Sequence, residues 1–275
     1  MSLITYLNIK NMEVKNKYSQ NMRDDYYSWE KRHHVQIKKA SFFQSYDIYL
    51  CDEILKKHLP KATSDQKLKI VELWSGDGKM LKKLWKMFNY DPIGLEYSPE
   101  WVKMWLNNWV ETKLCDVFDE NDIQPYLNSF DVVFSYGFIE HIIPVEKAII
   151  QHLKLLKPGG YLILQIPRIK GFNYRKFKFF RPDLIPLHNL ELMEDYILSK
   201  RNKGFPELKE IFCKNYGTFK IRVPLLKQWW KYYLGKIIAY LEYITNPLLR
   251  FLFGKKWCES RFFSPSIIYI WKKNK

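Results

Sequence analysis

At 275 residues with an apolar share of 47%, the chain is large enough for one substantial globular core or one core with sizeable attachments. Its formal charge of +16, from 45 Lys+Arg against 29 Asp+Glu, favours anionic partners: nucleic acid, phosphorylated small molecules or an acidic membrane surface. Charge alone does not choose among these, and a lysine-rich codon bias would produce part of it with no functional meaning.

No stretch reaches the ~18 uninterrupted apolar residues of a membrane-spanning helix, and the first residues lack the apolar core of a signal peptide. Cys51, Cys115, Cys213 and Cys258 lie far apart without CxxC or metal-type spacing, which reads as reduced thiols in a cytoplasmic protein, peripheral to a membrane at most. Aromatics make up 17% of the chain, with 10 Trp and 19 Tyr, so rings remain for a binding face or a membrane interface once a bulky core is filled.

In chain order, residues 1–66 read as a helical, polar-aromatic N-terminal cap. Apolar residues fall three and four apart through Ser41–Leu55, and Pro60 stops the helix. From residue 67 the pattern changes to strands alternating with helices. Strand Lys69–Trp74 leads through Ser75-Gly76-Asp77-Gly78 into helix Lys79–Phe88. Strand Pro92–Glu96 precedes helix Pro99–Val110, with proline in its first turn. A weaker strand surrounds Lys113-Leu114-Cys115. Strand Phe130–Ser135, helix Val145–Leu156, the turn Lys157-Pro158-Gly159-Gly160 and strand Tyr161–Ile166 complete five strands. This alternation predicts right-handed crossovers and a doubly wound, mostly parallel α/β sheet with helices on both faces.

Beyond it, Arg168–Asp183 is basic and aromatic without a clean period, and Leu190–Lys200 reads as a helix. Thr218–Val223 reads as a sixth strand, and Ser264–Trp271 as the seventh and last. Between these two, residues 225–253 are helix-like. Leu226, Trp230, Tyr233, Ile237, Leu241 and Ile244 recur at three- and four-residue steps, with Lys227, Lys231 and Glu242 opposite, until Pro247 breaks the run. The expected organisation is thus one α/β domain over 67–275 with two insertions, 168–188 and 225–262.

In a doubly wound sheet, ligands bind beyond the carboxyl ends of the strands at the switch point, where Trp74-Ser75-Gly76-Asp77-Gly78 sits. Gly76 and Gly78 let backbone approach a ligand, and serve equally as a simple helix-start turn. Glu96, at the end of the second strand, is placed to bind ribose hydroxyls. The third glycine of a dinucleotide fingerprint is missing, because Lys79-Met80-Leu81 follows Gly78, and this disfavours a nicotinamide oxidoreductase.

Five motifs in order over residues 69–167 resemble the class I S-adenosylmethionine-dependent methyltransferase family, in tone its small-molecule, ubiquinone-biosynthesis-like branch. They are Ile70–Gly78, Gly94–Glu100, Cys115-Asp116-Val117, Phe130–Ser135 with Glu140-His141-Ile142, and Leu155–Leu162. The resemblance implies S-adenosyl-L-methionine as cofactor. Its methionine would lie along Gly76, Gly78 and the Ser135 backbone, with Glu72 holding the loop. The ribose would sit at Glu96 and Tyr97, and the adenine at Asp116 and Val117. The family usually has glycine where this chain has Trp74, whose ring would crowd the cofactor.

Methyl transfer from a sulfonium needs alignment first, and a base only where the acceptor must lose a proton. His141 is the candidate base, with packing as its alternative role; His33, His34 and His188 are further histidines on the acceptor side. No His, Cys and carboxylate spacing suggests a metal. Arg175, Lys176 and Lys178, interleaved with aromatics, suit an anionic acceptor. The basic amphipathic run 225–253 suits a membrane interface, a cover over the acceptor site or a dimer contact. The expected activity is methylation, O-methylation before N- or C-methylation, of a small-molecule or lipid-linked acceptor. An RNA methyltransferase and a non-catalytic scaffold of the same fold are the alternatives, though no RNA-binding module is recognisable.

Overall fold

The computed structural model describes residues 50–63, 67–76, 78–105, 110–201, 204–217, 229–254 and 259–275. The expectations for residues 1–49, His33 and His34 among them, and for Asp77, the strand 218–223, Leu226, Lys227 and Cys258 lie outside these residues.

Seven strands form one sheet in the order β3-β2-β1-β4-β5-β7-β6. They are β1 Lys69–Leu73, β2 Asp91–Glu96, β3 Glu111–Leu114, β4 Phe130–Tyr136, β5 Leu156–Pro167, β6 Leu208–Tyr216 and β7 Ser266–Lys273. β1 to β5 pair in parallel, and β7 runs antiparallel to both β5 and β6. The order reverses at β1, which lies between β2 and β4 and so marks the switch point.

Strand alternation sorts side chains to two cores. Val71, Val133, Leu162, Leu164, Tyr269 and Trp271 point to one face. Ile70, Val132, Phe134, Ile163, Ile268 and Ile270 point to the other. All twelve are fully buried, which is why these strands read as continuous apolar runs.

The helices close both faces. A π-helical stretch Leu50–Leu55 runs into α1 Lys56–His58. With α2 Lys79–Phe88 it covers the second core through Leu50, Ile54, Leu55, Leu81, Leu84 and Phe88. α3 Pro99–Trp105 and the short α4 Glu120–Ile123 follow β2 and β3. α5 Val145–Leu155 covers the first core with Ala148, Ile149 and Leu153. α6 Phe172–Phe180, α7 Ile197–Arg201 and α8 Trp229–Phe253 complete the set.

Three expectations change, and one strand is new. The new strand is Leu208–Tyr216, an edge strand whose middle is exposed, so its pattern is too polar to read as a buried strand. Leu190–Lys200 is not one helix but a 3₁₀ turn, Leu190–Met193, followed by α7, with Tyr196 between them at φ 58°. The aperiodic segment contains helix α6, whose buried residues are the polar Asn173 and Lys176. Pro247 does not end its helix, and α8 continues through it to Phe253. A proline removes one ladder bond and bends a helix without always ending it, and Leu248, Leu249 and Arg250 beyond it are good helix formers.

Candidate active site

The loop leaving β1 turns three times through the left-handed region, at Trp74 (φ 56°), Gly76 (φ 53°) and Gly78 (φ 63°). Glycine adopts this without penalty, whereas a tryptophan pays about 1–2 kcal/mol. The loop is fastened by Trp74 N–H donating to Leu95 O at 2.8 Å and Gly78 N–H donating to Ser75 O at 2.8 Å. Gly94 is required beside it, since a Cβ there would stand 2.6 Å from Ser75 Oγ. At Gly76 a Cβ would meet nothing within 4 Å, so this backbone faces open space.

Glu96 is fully buried at the end of β2. Its carboxylate accepts from Gly76 N–H at 2.8 Å and from Ser98 N–H at 2.9 Å, one oxygen to each. The carboxylate thereby locks the glycine loop to the second strand. Ser75 Oγ and Ser135 Oγ are buried near the two strand ends without a hydrogen-bond partner among the described residues.

A shallow, partly open cleft lies over these strand ends. Trp74, Leu95, Tyr97, Cys115, Asp116, Val117, Phe118 and Phe138 line it. Four predicted residues, Trp74, Tyr97, Asp116 and Val117, therefore share one wall, and Glu96 lies beneath it. Asp116 Oδ1 accepts from Phe118 N–H at 3.0 Å, and Asp116 N–H donates to Asp122 Oδ2 at 2.8 Å, so the third-strand loop is held open as a rim. Glu72 is buried on β1, and Ser135 pairs with Leu73 inside the sheet; neither side chain reaches the cleft lining. Phe118 and Phe138 were missed by motif reading. Their signal is an aromatic placed just past the end of β3 and just past β4.

Trp74 stands in the cleft wall. Its ring meets Phe138 edge-on at 5.3 Å and His141 at 5.1 Å. The donors and acceptors present fit S-adenosylmethionine: an apolar, aromatic slot for adenine, a buried carboxylate for ribose and an open glycine turn for the methionine.

Behind Trp74, a 3₁₀ turn Ile139–His141 follows β4, with all three residues buried. His141 Nδ1 donates to Leu187 O at 2.6 Å, and Asn189 N–H donates to Glu140 O at 2.7 Å, pinning segment 182–193 over the β4 end. Burial holds His141 well below the usual histidine value, with help from neighbouring His188. A histidine so placed is a poor proton acceptor at neutral pH, which argues against the general-base role expected for it. His188 is likewise held down at about 4 by burial, and Glu140 is pushed up to about 8 by the same cause. Glu140, His141 and His188 each offer a ligand atom, all within 4.8 Å of one another. The expectation of no metal rested on linear spacing, which does not register a group assembled by folding.

On the acceptor side, Arg175 and Lys178 are exposed on α6, with the Arg175 guanidinium 5.8 Å from the Phe262 ring. Lys176 differs from expectation. It is buried, donates to Asn173 Oδ1 at 2.9 Å and packs its ammonium over Phe177, so it holds α6 in place and does not present charge to a ligand.

A glycine turn locked by a buried carboxylate at the switch point of a seven-stranded sheet places the chain in the doubly wound α/β class, with a ligand site over the strand ends. The family model described as "Methyltransferase domain" matches residues 43–196, more than half of the chain, and the chain belongs to that family. It is an enzyme whose cofactor is S-adenosylmethionine. Among solved structures, the plantazolicin methyltransferase BpumL, in complex with a triazolic desmethylPZN analog and SAH, is 14% identical. That match has a TM-score of 0.55 and covers 98% of this chain and 99% of that one. A SAM-dependent methyltransferase from Archaeoglobus fulgidus is also 14% identical, with a TM-score of 0.50 and coverage of 90% and 99%. The [4+2]-cyclase SpnF matches at 14% identity and a TM-score of 0.51, covering 86% of this chain and 84% of its own. At these identities the likeness is one of fold. No curated protein matches the chain.

Proposed function

We propose that this methyltransferase acts at a membrane surface, moving the methyl group of S-adenosylmethionine to an oxygen of a small amphiphilic or lipid-linked acceptor. The observation that carries this reading is the surface of α8. Trp230, Tyr233, Ile237, Leu241, Ile244 and Leu248 are each more than half exposed. At helical spacing they fall within a stripe roughly 60° to 120° wide. Lys236 is exposed outside that stripe.

Among the described residues no helix is long and apolar enough to cross a membrane. An apolar stripe flanked by Lys236 and headed by Trp and Tyr suits the headgroup boundary, where it would lie flat. The stripe is continuous with the acceptor-side segment, since Trp230 meets Phe179 of α6 at 6.0 Å. A lipid-borne acceptor would thus approach along α6, past Arg175 and Lys178. Those cations repel a protonated amine and tolerate a neutral or anionic hydroxyl compound, which favours oxygen as the acceptor atom. The cofactor supplies an electrophilic methyl group; the chain's residues hold its nucleoside and align the acceptor.

The test is co-sedimentation with vesicles of anionic phospholipid, followed by incubation with methyl-labelled cofactor and lipid extraction. The parent chain is expected to pellet with vesicles and to label an extractable product from a membrane lysate. The triple variant Ile237→Glu, Leu241→Glu, Ile244→Glu is expected to stay in the supernatant with cofactor affinity intact. Equal partition of parent and variant would overturn the membrane reading, and label found only in water-soluble products would move the acceptor to the free small-molecule class.

A further inference from the structure

We infer that Glu140, His141 and His188 form a binding site for one divalent first-row transition cation, one side chain removed from the cofactor cleft. The inference stands apart from the membrane reading and shares no residue with it.

The three groups converge from two segments, the 3₁₀ turn after β4 and the end of the 3₁₀ turn Pro182–Leu187. One ligand atom from each lies within 4.8 Å of the others. His141 Nε2 and Glu140 Oε1 are 3.7 Å apart. Ligands on a tetrahedral ion at ~2.0–2.1 Å stand about 3.3 Å from each other, so the pair needs only a small contraction.

The imidazoles are already oriented. His141 Nδ1 faces Leu187 O at 2.6 Å, and His188 Nδ1 faces Leu184 O at 2.7 Å. A carbonyl oxygen only accepts, so both Nδ1 atoms carry the proton and both Nε2 atoms keep the lone pair. Backbone carbonyls fixing the tautomer in this way are the usual outer support of metal-bound histidines.

Glu140 supplies the second observation. Its side chain is 1% exposed, and neither carboxylate oxygen has a hydrogen-bond partner among the described residues. Burying a carboxyl group without partners is costly, and a cation between it and the two imidazoles offsets that cost. The hydrogen bond from Asn189 N–H to Glu140 O holds the two segments in register. Trp74 packs its ring edge on His141 and shields the group from the cleft, while His188 is only part-buried and leaves a way in.

Two imidazoles with one carboxylate suit zinc, manganese, iron, cobalt or nickel better than magnesium or calcium, which take all-oxygen sets. Three protein ligands leave at least one position for water or an acceptor oxygen.

The experiment uses the untagged full chain, stripped with chelator and titrated with Zn²⁺ and Mn²⁺ by calorimetry, with thermal melting in parallel. One equivalent of at least one ion is expected to bind with a Kd below about 10 μM and to raise Tm. Glu140→Gln and His188→Gln are each expected to weaken it at least tenfold. Where a variant does not fold, Co²⁺ added to the unmodified chain decides. A four- or five-coordinate visible spectrum at one equivalent, without a thiolate charge-transfer band, supports the site. A six-coordinate aquo spectrum, a thiolate band, no saturable binding of Zn²⁺ or Mn²⁺, or binding that both folded variants retain would each overturn it.

Discussion

Glu96 is asked to do two things with one carboxylate. It accepts the Gly76 and Ser98 amides at the buried tip of β2, and it would hold the ribose hydroxyls of the cofactor. Removing it takes the carboxylate acceptor from one part-buried and one buried amide, a loss of roughly 1–3 kcal/mol at the buried one. Glu96→Ala should therefore lose both stability and cofactor, whereas Glu96→Gln should keep most of the fold and weaken the cofactor. Calorimetry with S-adenosylhomocysteine checks this: micromolar binding, about −8 kcal/mol, in the parent and at least a hundredfold weaker binding in Glu96→Ala. Unchanged affinity would move the ribose elsewhere.

His152 makes a separate residue-scale case, because it carries a pH dependence with a definite sign. It is fully buried on α5, its Nδ1 donates to Ala148 O at 2.6 Å, and burial holds its pKa at about 4. Unfolded, it titrates near ~6.5. Between those values the unfolded chain binds the extra proton, so the stability contribution is whole above about pH 6.5 and is lost as pH falls toward 4. At pH 5 the loss is about 2 kcal/mol. His188 has the same sign and adds to the parent's decline. Urea midpoints at pH 7.5 and pH 5 should show a smaller drop for His152→Phe than for the parent; an equal drop would remove His152 from the acid response.

Among the elements, β4, β5 and β7 are legible because strands covered on both faces carry near-continuous apolar runs, as in Ile267-Ile268-Tyr269-Ile270-Trp271, and β1 and β2 because short apolar stretches lead into the glycine loop and Glu96. α2 was legible to the residue, since apolar periodicity and the glycine before it mark both its start and its face. The elements that escaped have physical reasons. β6 lies at the sheet edge and buries only its ends. α6 turns Asn173 and Lys176 inward, where Asn173 Nδ2 donates to Ser264 O at 3.1 Å and Lys176 donates to Asn173, so its core face is polar and shows no apolar period. The Glu140, His141 and His188 group shows no linear signature because segment 182–193 folds back onto the β4 end.

α8 sets a test at the same scale. Pro247 lies inside Trp229–Phe253 and cannot donate to the carbonyl one turn earlier. Pro247→Ala restores that donor and removes a helix-interior penalty of up to about 3 kcal/mol. Amide exchange over residues 248–253 should slow, with no change in cofactor affinity. Unaltered exchange would mean that packing, and not the helix's own ladder, sets the order of its last turns.

At the scale of the whole molecule, two different forces would hold the enzyme to a membrane, and they separate by salt. The chain carries +16 formal charges, and its apolar stripe on α8 is exposed along nearly the length of the helix. Attraction of surface cations to an anionic bilayer fades as the screening length falls from ~10 Å at 0.1 M salt to ~3 Å at 1 M. Burial of the apolar stripe does not fade in the same way. Charge brings the protein to the surface and the stripe keeps it there, so partition onto anionic vesicles should fall severalfold between 0.1 and 1 M NaCl without vanishing. The α8 triple-glutamate variant should lose the salt-resistant fraction while retaining a weak salt-sensitive one. Vesicle flotation at the two salt concentrations measures both fractions. Complete release of the parent at 1 M would assign the contact to charge alone and leave the stripe of α8 to a protein partner, whereas salt-independent partition would assign it to the stripe and leave the surplus charge without a role at the membrane.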